Sequence, residues 1–138
     1  MYNNITLLLG GYTSGGVRSA AVYSLEGGQW TQLPSMKTAR GYHGCVIHQQ
    51  EVWAIGGYTA TVEILNLSTK TWREGPQLTK SMPCGQAIVI EDDQLYFTNK
   101  DGLVFKSDNG WKKVDTIGSY SGRPVFPAPV VTKKILNC

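Results

Sequence analysis

Along this chain apolar residues come in short runs closed by Gly, Asn, Asp or Ser, and inside most runs apolar and polar positions alternate. A two-residue period marks a strand with one face buried, and the flanking residues are those that accept tight turns. The clearest stretch reads GCVIH, a polar turn QQE, VWAIGG, then VEIL, a turn NLSTK, and TWRE, which predicts strands over 44–47, 52–57, 62–65 and 71–74. Strands in that order, joined by short turns, make an antiparallel meander. The flanking segments predict strands over 5–11, 20–25 and 30–33, and over 85–90, 95–100, 102–107 and 110–114. No segment carries the period of an amphipathic helix, so the expected fold class is all-β.

The strands recur as a unit. Gly10-Gly11 returns as Gly56-Gly57, and Trp30 returns as Trp72 and Trp111, at steps of 42 and 39 residues. Self-similarity at such a period marks a repeat architecture. The phrases ARGYHG (39–44), the Gly pair, NLSTKTW (66–72) and LPSM (33–36) resemble the kelch repeat, one blade of a β-propeller. The resemblance divides the chain into a repeat lacking its first strand (1–36), a complete repeat (37–77), a degenerate repeat with Asn99-Lys100 in place of the Gly pair (78–118), and a Pro-rich tail (119–138). It implies four-stranded antiparallel blades in an incomplete ring of about three. The Gly pairs and tryptophans are then scaffold: the glycines free the backbone for positive φ and close approach, and each Trp offers area to wedge between blades.

Three blades fall short of the roughly four to eight of a closed propeller. Either the chain is part of a longer kelch protein, or two chains share a ring in which each tail completes the partner's first blade. The run around 122–136 is the candidate orphan first strand, although Pro124, Pro127 and Pro129 each remove a ladder donor.

Composition narrows the chemistry. With 41% hydrophobic and 17% charged residues and no long like-charge run, the chain reads as a soluble globular protein. ITLLL, near the start, is too short for a signal core or a bilayer span. Cys45, Cys84 and Cys138 form no CxxC pair and are odd in number, which points to thiols in a reducing, cytoplasmic setting. His43 and His48 lie five apart, on opposite faces of a strand, and cannot clamp one metal. No cofactor and no metal are expected. Some kelch propellers are oxidases or sugar-acid epimerases, but no acid, base or metal-ligating constellation favours an enzyme here. The few basic residues, opposed by acids, argue against nucleic acid.

In a four-strand meander the second-to-third and interblade connections share one face of the ring. That face collects Arg18, Lys37, Arg40, Lys80, Lys100 and Arg123 against Asp101, together with Tyr12, Tyr42, Tyr58 and Tyr120. The other face collects Glu26, Glu51, Glu91, Asp92, Asp93 and Asp108 against Lys70, Lys133 and Lys134. Tyr and Arg are enriched at binding hot spots. By resemblance, kelch-like proteins receive partner peptides on this face, which makes Tyr12, Arg18, Arg40, Tyr42, Tyr58, Lys80 and Arg123 the candidate partner-binding residues. The expectation is a non-catalytic protein-interaction module, in a ubiquitin-ligase substrate receptor or a cytoskeletal adaptor, that grips an acidic or phosphorylated peptide. The alternatives are an enzyme fragment and a degenerate fragment without function. Arg40 and Arg123 also admit a purely structural role, tying loops down.

Overall fold

The computed structural model describes residues 5–82, 85–89, 94–99, 103–107, 110–116 and 136–137. Their strands are β1 (Thr6–Leu9), β2 (Val22–Glu26), β3 (Gln29–Leu33), β4 (Gly44–His48), β5 (Glu51–Ile55), β6 (Val62–Asn66), β7 (Thr71–Glu74), β8 (Gln86–Val89), β9 (Leu95–Thr98), β10 (Leu103–Ser107), β11 (Trp111–Thr116) and β12 (Leu136–Asn137). They form three four-stranded sheets, ordered β12-β1-β2-β3, β4-β5-β6-β7 and β8-β9-β10-β11. Among the described residues there is no helix. These are all-β blades of a partial propeller.

Two apolar seams hold the blades face to face. Leu7, Leu9, Val22, Leu33 and Met36 of the first blade pack on Val52, Ala54 and Leu65 of the second. Ile55, Val62 and Ile64 pack instead on Leu78, Met82, Ala87, Leu95 and Phe97, toward the third. The middle blade is therefore covered on both sides, which is why β6 is buried at four successive positions rather than at alternate ones. Burying an aliphatic side chain contributes roughly 1.5–3 kcal/mol, so each seam is a substantial source of stability.

The turns show why the strands end where they do. Gly27 and Gly28 both take positive φ between β2 and β3, as a two-residue hairpin turn demands. Gln49 and Gln50 adopt the same conformation between β4 and β5 without the glycines that would relieve it. Between β6 and β7, Asn66 Oδ1 accepts the N–H groups of Ser68 and Thr69 at 2.9 Å each, closing the loop with its own side chain.

At the inner edge of the first blade, Leu136 and Asn137 pair in parallel with Leu7 and Leu8. In the second blade the corresponding inner strand β4 runs antiparallel to β5. The described end of the tail therefore takes the edge next to β1 with the opposite sense to a blade's first strand. Val125 and its prolines lie outside the described residues.

Candidate functional site

The loop joining β1 to β2 folds back as a small hairpin. Tyr12 bridges Arg18, and Thr13 N–H donates to Val17 O at 2.8 Å. This hairpin is stitched to the connection between the first and second blades: Gly11 N–H donates to Arg40 O at 2.8 Å, and Arg40 N–H to Ser19 O at 2.9 Å. Such close approach requires Gly10, where an added Cβ would stand 2.6 Å from Arg40 O. It also requires Gly41, whose missing side chain leaves the space filled by the Tyr12 ring.

Three tyrosines from three different loops converge on this platform. The Tyr12 and Tyr42 rings lie 5.4 Å apart and tilted, and Tyr42 meets Tyr58 edge-on at 6.1 Å. The Arg18 guanidinium sits 5.6 Å from the centre of the Tyr58 ring. Such aromatic and cation–π contacts are worth roughly 0.5–1.5 kcal/mol each and hold the rings in a fixed arrangement. All three rings face solvent, with 45%, 58% and 51% of their surface exposed. Tyr42 and Tyr58 both sit in the left-handed region, at φ 52° and 43°. For a bulky residue that conformation costs about 1–2 kcal/mol, and such strain concentrates at ligand clamps.

Arg40 does not belong to this surface, which corrects the expectation that it grips a ligand. Its side chain is fully buried. Nη1 donates to Gly56 O at 2.9 Å and Thr61 O at 2.7 Å, and Nη2 donates to Thr61 Oγ1 and Glu63 Oε2, each at 2.8 Å. Glu63 also accepts the N–H groups of Lys37 at 2.6 Å and Thr38 at 3.1 Å. The pair thus fastens the interblade connection to β6, the tying-down role. Burial lowers the Arg40 pKa, with the Glu63 hydrogen bond and charge opposing.

Other candidates separate as well. Lys37 pairs with Glu74 at 3.1 Å on the surface. Lys80 is exposed in the connection that follows the second blade. Arg123 and Tyr120 lie outside the described residues, as does Lys100. The basic face therefore carries less free charge than its residue count suggests, and its centre is aromatic.

Beneath the tyrosines lies His43, which is buried. Its Cε1 would be 3.0 Å from a Cβ on Gly10, and its main chain sits against Gly57. Neither ring nitrogen has a hydrogen-bond partner among the described residues. Burial, and then the Arg40 charge, lower its pKa from 6.5 to about 4, so the ring is neutral at pH 7. Among the described residues no three His, Cys, Asp or Glu side chains come together to hold a metal ion. Cys45 is disulfide-bonded, which corrects the expectation of free thiols and weakens the thiol argument for a reducing setting. No helix among the described residues is long and apolar enough to cross a membrane.

Glu63 and the buried state of Arg40 are the features that loop sorting misses. A signal for the first was available: Glu63 is an acid inside the otherwise apolar run VEIL, and a buried charge needs a partner.

Comparison with known proteins bears on the same segments. The family model described as Kelch motif matches residues 1–37 and 39–79. Kelch-like protein 41b of Danio rerio is 31% identical over 78 residues, and Kelch-like protein 22 of Homo sapiens is 28% identical over 81. These alignments cover 51% and 54% of this chain but 13% of each relative, so the chain spans a small part of the length of the curated relatives it matches. The matched residues end at 79, yet β8–β11 repeat the strand order, and Trp111 Nε1 donates to Pro76 O at 2.7 Å just as Trp72 Nε1 donates to Pro34 O at 2.7 Å. With two motif matches over more than half its length and the blade geometry to go with them, the chain belongs to the kelch-repeat family.

Proposed function

We propose that the surface formed by Tyr12, Tyr42, Tyr58 and Arg18 docks a peptide segment of a partner protein, and that the chain works as a non-catalytic interaction platform. The observation that carries this is the convergence of three exposed tyrosine rings, two of them on left-handed backbone, with an arginine stacked at one end. Trp72 and Trp111 are half-buried in their seams, whereas these three rings stay exposed, two of them on strained backbone. Tyrosines give contact area at low entropic cost, and Arg18 supplies the donor fork for a carboxylate or phosphate. The favoured ligand is an acidic or phosphorylated peptide, with Lys80 an outlying cation. A substrate receptor of a ubiquitin ligase or a cytoskeletal adaptor is the setting in which such a platform serves, by resemblance to kelch-like proteins.

The test is selection from a displayed library of random peptides on the wild-type protein and on a Tyr42→Ser/Tyr58→Ser variant. Enriched peptides should carry Asp or Glu beside an apolar residue, and the variant should bind them at least about tenfold more weakly, the loss of one hot-spot contact. Arg18→Gln should erase the acidic preference while sparing apolar contacts. Enrichment that survives the tyrosine substitutions would overturn the proposal.

A further inference from the structure

The three loops that carry the tyrosines meet on one side chain. His43 directly follows Tyr42 and stands just before β4. Gly10, two residues before Tyr12, closes on its ring, where a Cβ would stand 3.0 Å from His43 Cε1. Gly57, next to Tyr58, closes on its root, where a Cβ would stand 2.8 Å from His43 Cβ and 2.5 Å from Gly41 O. The placing of all three rings therefore depends on where His43 sits.

That position is hostile to charge. His43 is 4% exposed, and neither ring nitrogen has a hydrogen-bond partner among the described residues. A proton taken up in place would be buried without an acceptor and would feel the Arg40 guanidinium, whose charge opposes it. Arg40 lies on the same connection, and the Glu63 carboxylate on β6 is already committed to Arg40 and to the N–H groups of Lys37 and Thr38. Arg18 is held against the Tyr58 ring, and Gly10 and Gly57 bring no charge. A charged His43 ring is accommodated only by leaving. The backbone favours departure, since Tyr42 and Tyr58 are held in the left-handed region and that strain is relieved when the loops part.

We propose that His43 is an acid-sensitive keystone of the tyrosine platform: its protonation drives the ring into water, the connection carrying Tyr42 swings away from the β1–β2 loop, and the docked segment is released. The β4–β5 ladder stays intact, because its register begins at Gly44. Release of a peptide rests on the docking function proposed above, whereas the opening itself does not. A switch of this kind needs an element with two arrangements and a group whose charge biases them, which the strained loops and His43 supply.

Amide hydrogen exchange on the 138-residue chain reads the opening through the bonds that stitch the loops together, Gly11 N–H to Arg40 O and Arg40 N–H to Ser19 O. With a pKa of about 4 in the closed state and 6.5 once solvated, the open population should rise about thirtyfold between pH 7.5 and 5. Protection of these two amides, corrected for intrinsic exchange, should fall by that factor. It should stay well below that of Gly75 and Leu78, whose N–H groups bond to Val62 O and Ala60 O in the second blade. In His43→Phe the fall should vanish, and His43→Leu repeats the test with a smaller side chain. Unchanged protection in the wild type, exchange at the same rate as Gly75 and Leu78, or a fall that persists in both variants would each overturn the proposal. Peptides selected at pH 7.5 should bind the wild type more weakly at pH 5 and should bind His43→Phe alike at both. Undiminished binding at pH 5 would overturn the release. Lost protection without any peptide binding at either pH would instead overturn the docking function and leave the switch standing.

Discussion

The two seams do the same mechanical job with opposite chemistry. Where the second blade meets the first, Arg40 is buried against Glu63, and Arg40 O receives Gly11 N–H at 2.8 Å. Where it meets the third, Met82 takes the equivalent place, its carbonyl receiving Gly57 N–H at 3.4 Å and its side chain joining an apolar cluster with Leu78 and Phe97. The family scaffold therefore does not require an ion pair at a blade seam. An ion pair in such a place is weak evidence for stability, because desolvation offsets much of the attraction. What Glu63 adds is order: it fixes the Lys37 and Thr38 main chain, and through Arg40 the loop that carries Tyr42.

The largest effect separating the seams should come from breaking the pair on one side only. Arg40→Ala leaves the Glu63 carboxylate buried with its charge uncompensated, and should destabilise by about 3–5 kcal/mol, much of the stability of a domain this size. Urea denaturation would read it as a fall in midpoint. Arg40→Met with Glu63→Gln imports the chemistry of the other seam while keeping an amide oxygen for Lys37 and Thr38. That variant should recover to within about 1 kcal/mol of wild type. If it stays as unstable as Arg40→Ala, the charge itself holds the seam and the comparison with Met82 fails.

The second difference is sensitivity to acid. His43 lies on the polar seam, and its pKa falls from 6.5 to about 4 on folding. The unfolded chain takes up the proton first, so above pH 6.5 this group leaves stability unchanged. Between pH 6.5 and 4 it destabilises progressively, by about 3 kcal/mol at most for that interval, and below pH 4 the effect levels off. His43→Phe should flatten this part of the pH profile and should not lower stability at pH 8, because neither imidazole nitrogen has a partner to lose among the described residues. Thermal melts from pH 8 to 4 on both proteins would check it. Equal slopes would mean that His43 is solvated.

How much of this was legible in the residues follows from which forces are local. Strand periods, Gly pairs and the Trp repeat are written at fixed spacings, so the all-β class, the four-strand meander and the recurrence of Trp72 and Trp111 on equivalent strands could be anticipated. Sorting loops to one face also placed Tyr12, Tyr42, Tyr58 and Arg18 together, because that depends on strand alternation alone. The state of Arg40 was not legible. Whether a loop arginine faces water or the core depends on a carboxylate at Glu63, far along the chain, and on the glycines that let two loops close over it. The sense of the Leu136–Asn137 pairing was hidden for a similar reason, since a short apolar segment carries no signal of direction.

The smallest effect asks whether the tryptophan latch depends on the seam around it. Trp72 and Trp111 donate across chemically different seams at the same 2.7 Å. Replacing either with Phe keeps an aromatic ring in the seam but removes the donor, which should cost about 1 kcal/mol, a typical net hydrogen bond. Trp111 is the more shielded of the two bonds, so its loss should be the larger, with less water to satisfy the abandoned Pro76 carbonyl. Trp30→Phe should change nothing, because the Trp30 ring is exposed and its donor meets no neighbouring blade among the described residues. Equal losses at Trp72 and Trp111 would make the latch a property of the repeat alone. A loss at Trp30 matching either would show that its donor is already engaged within one chain.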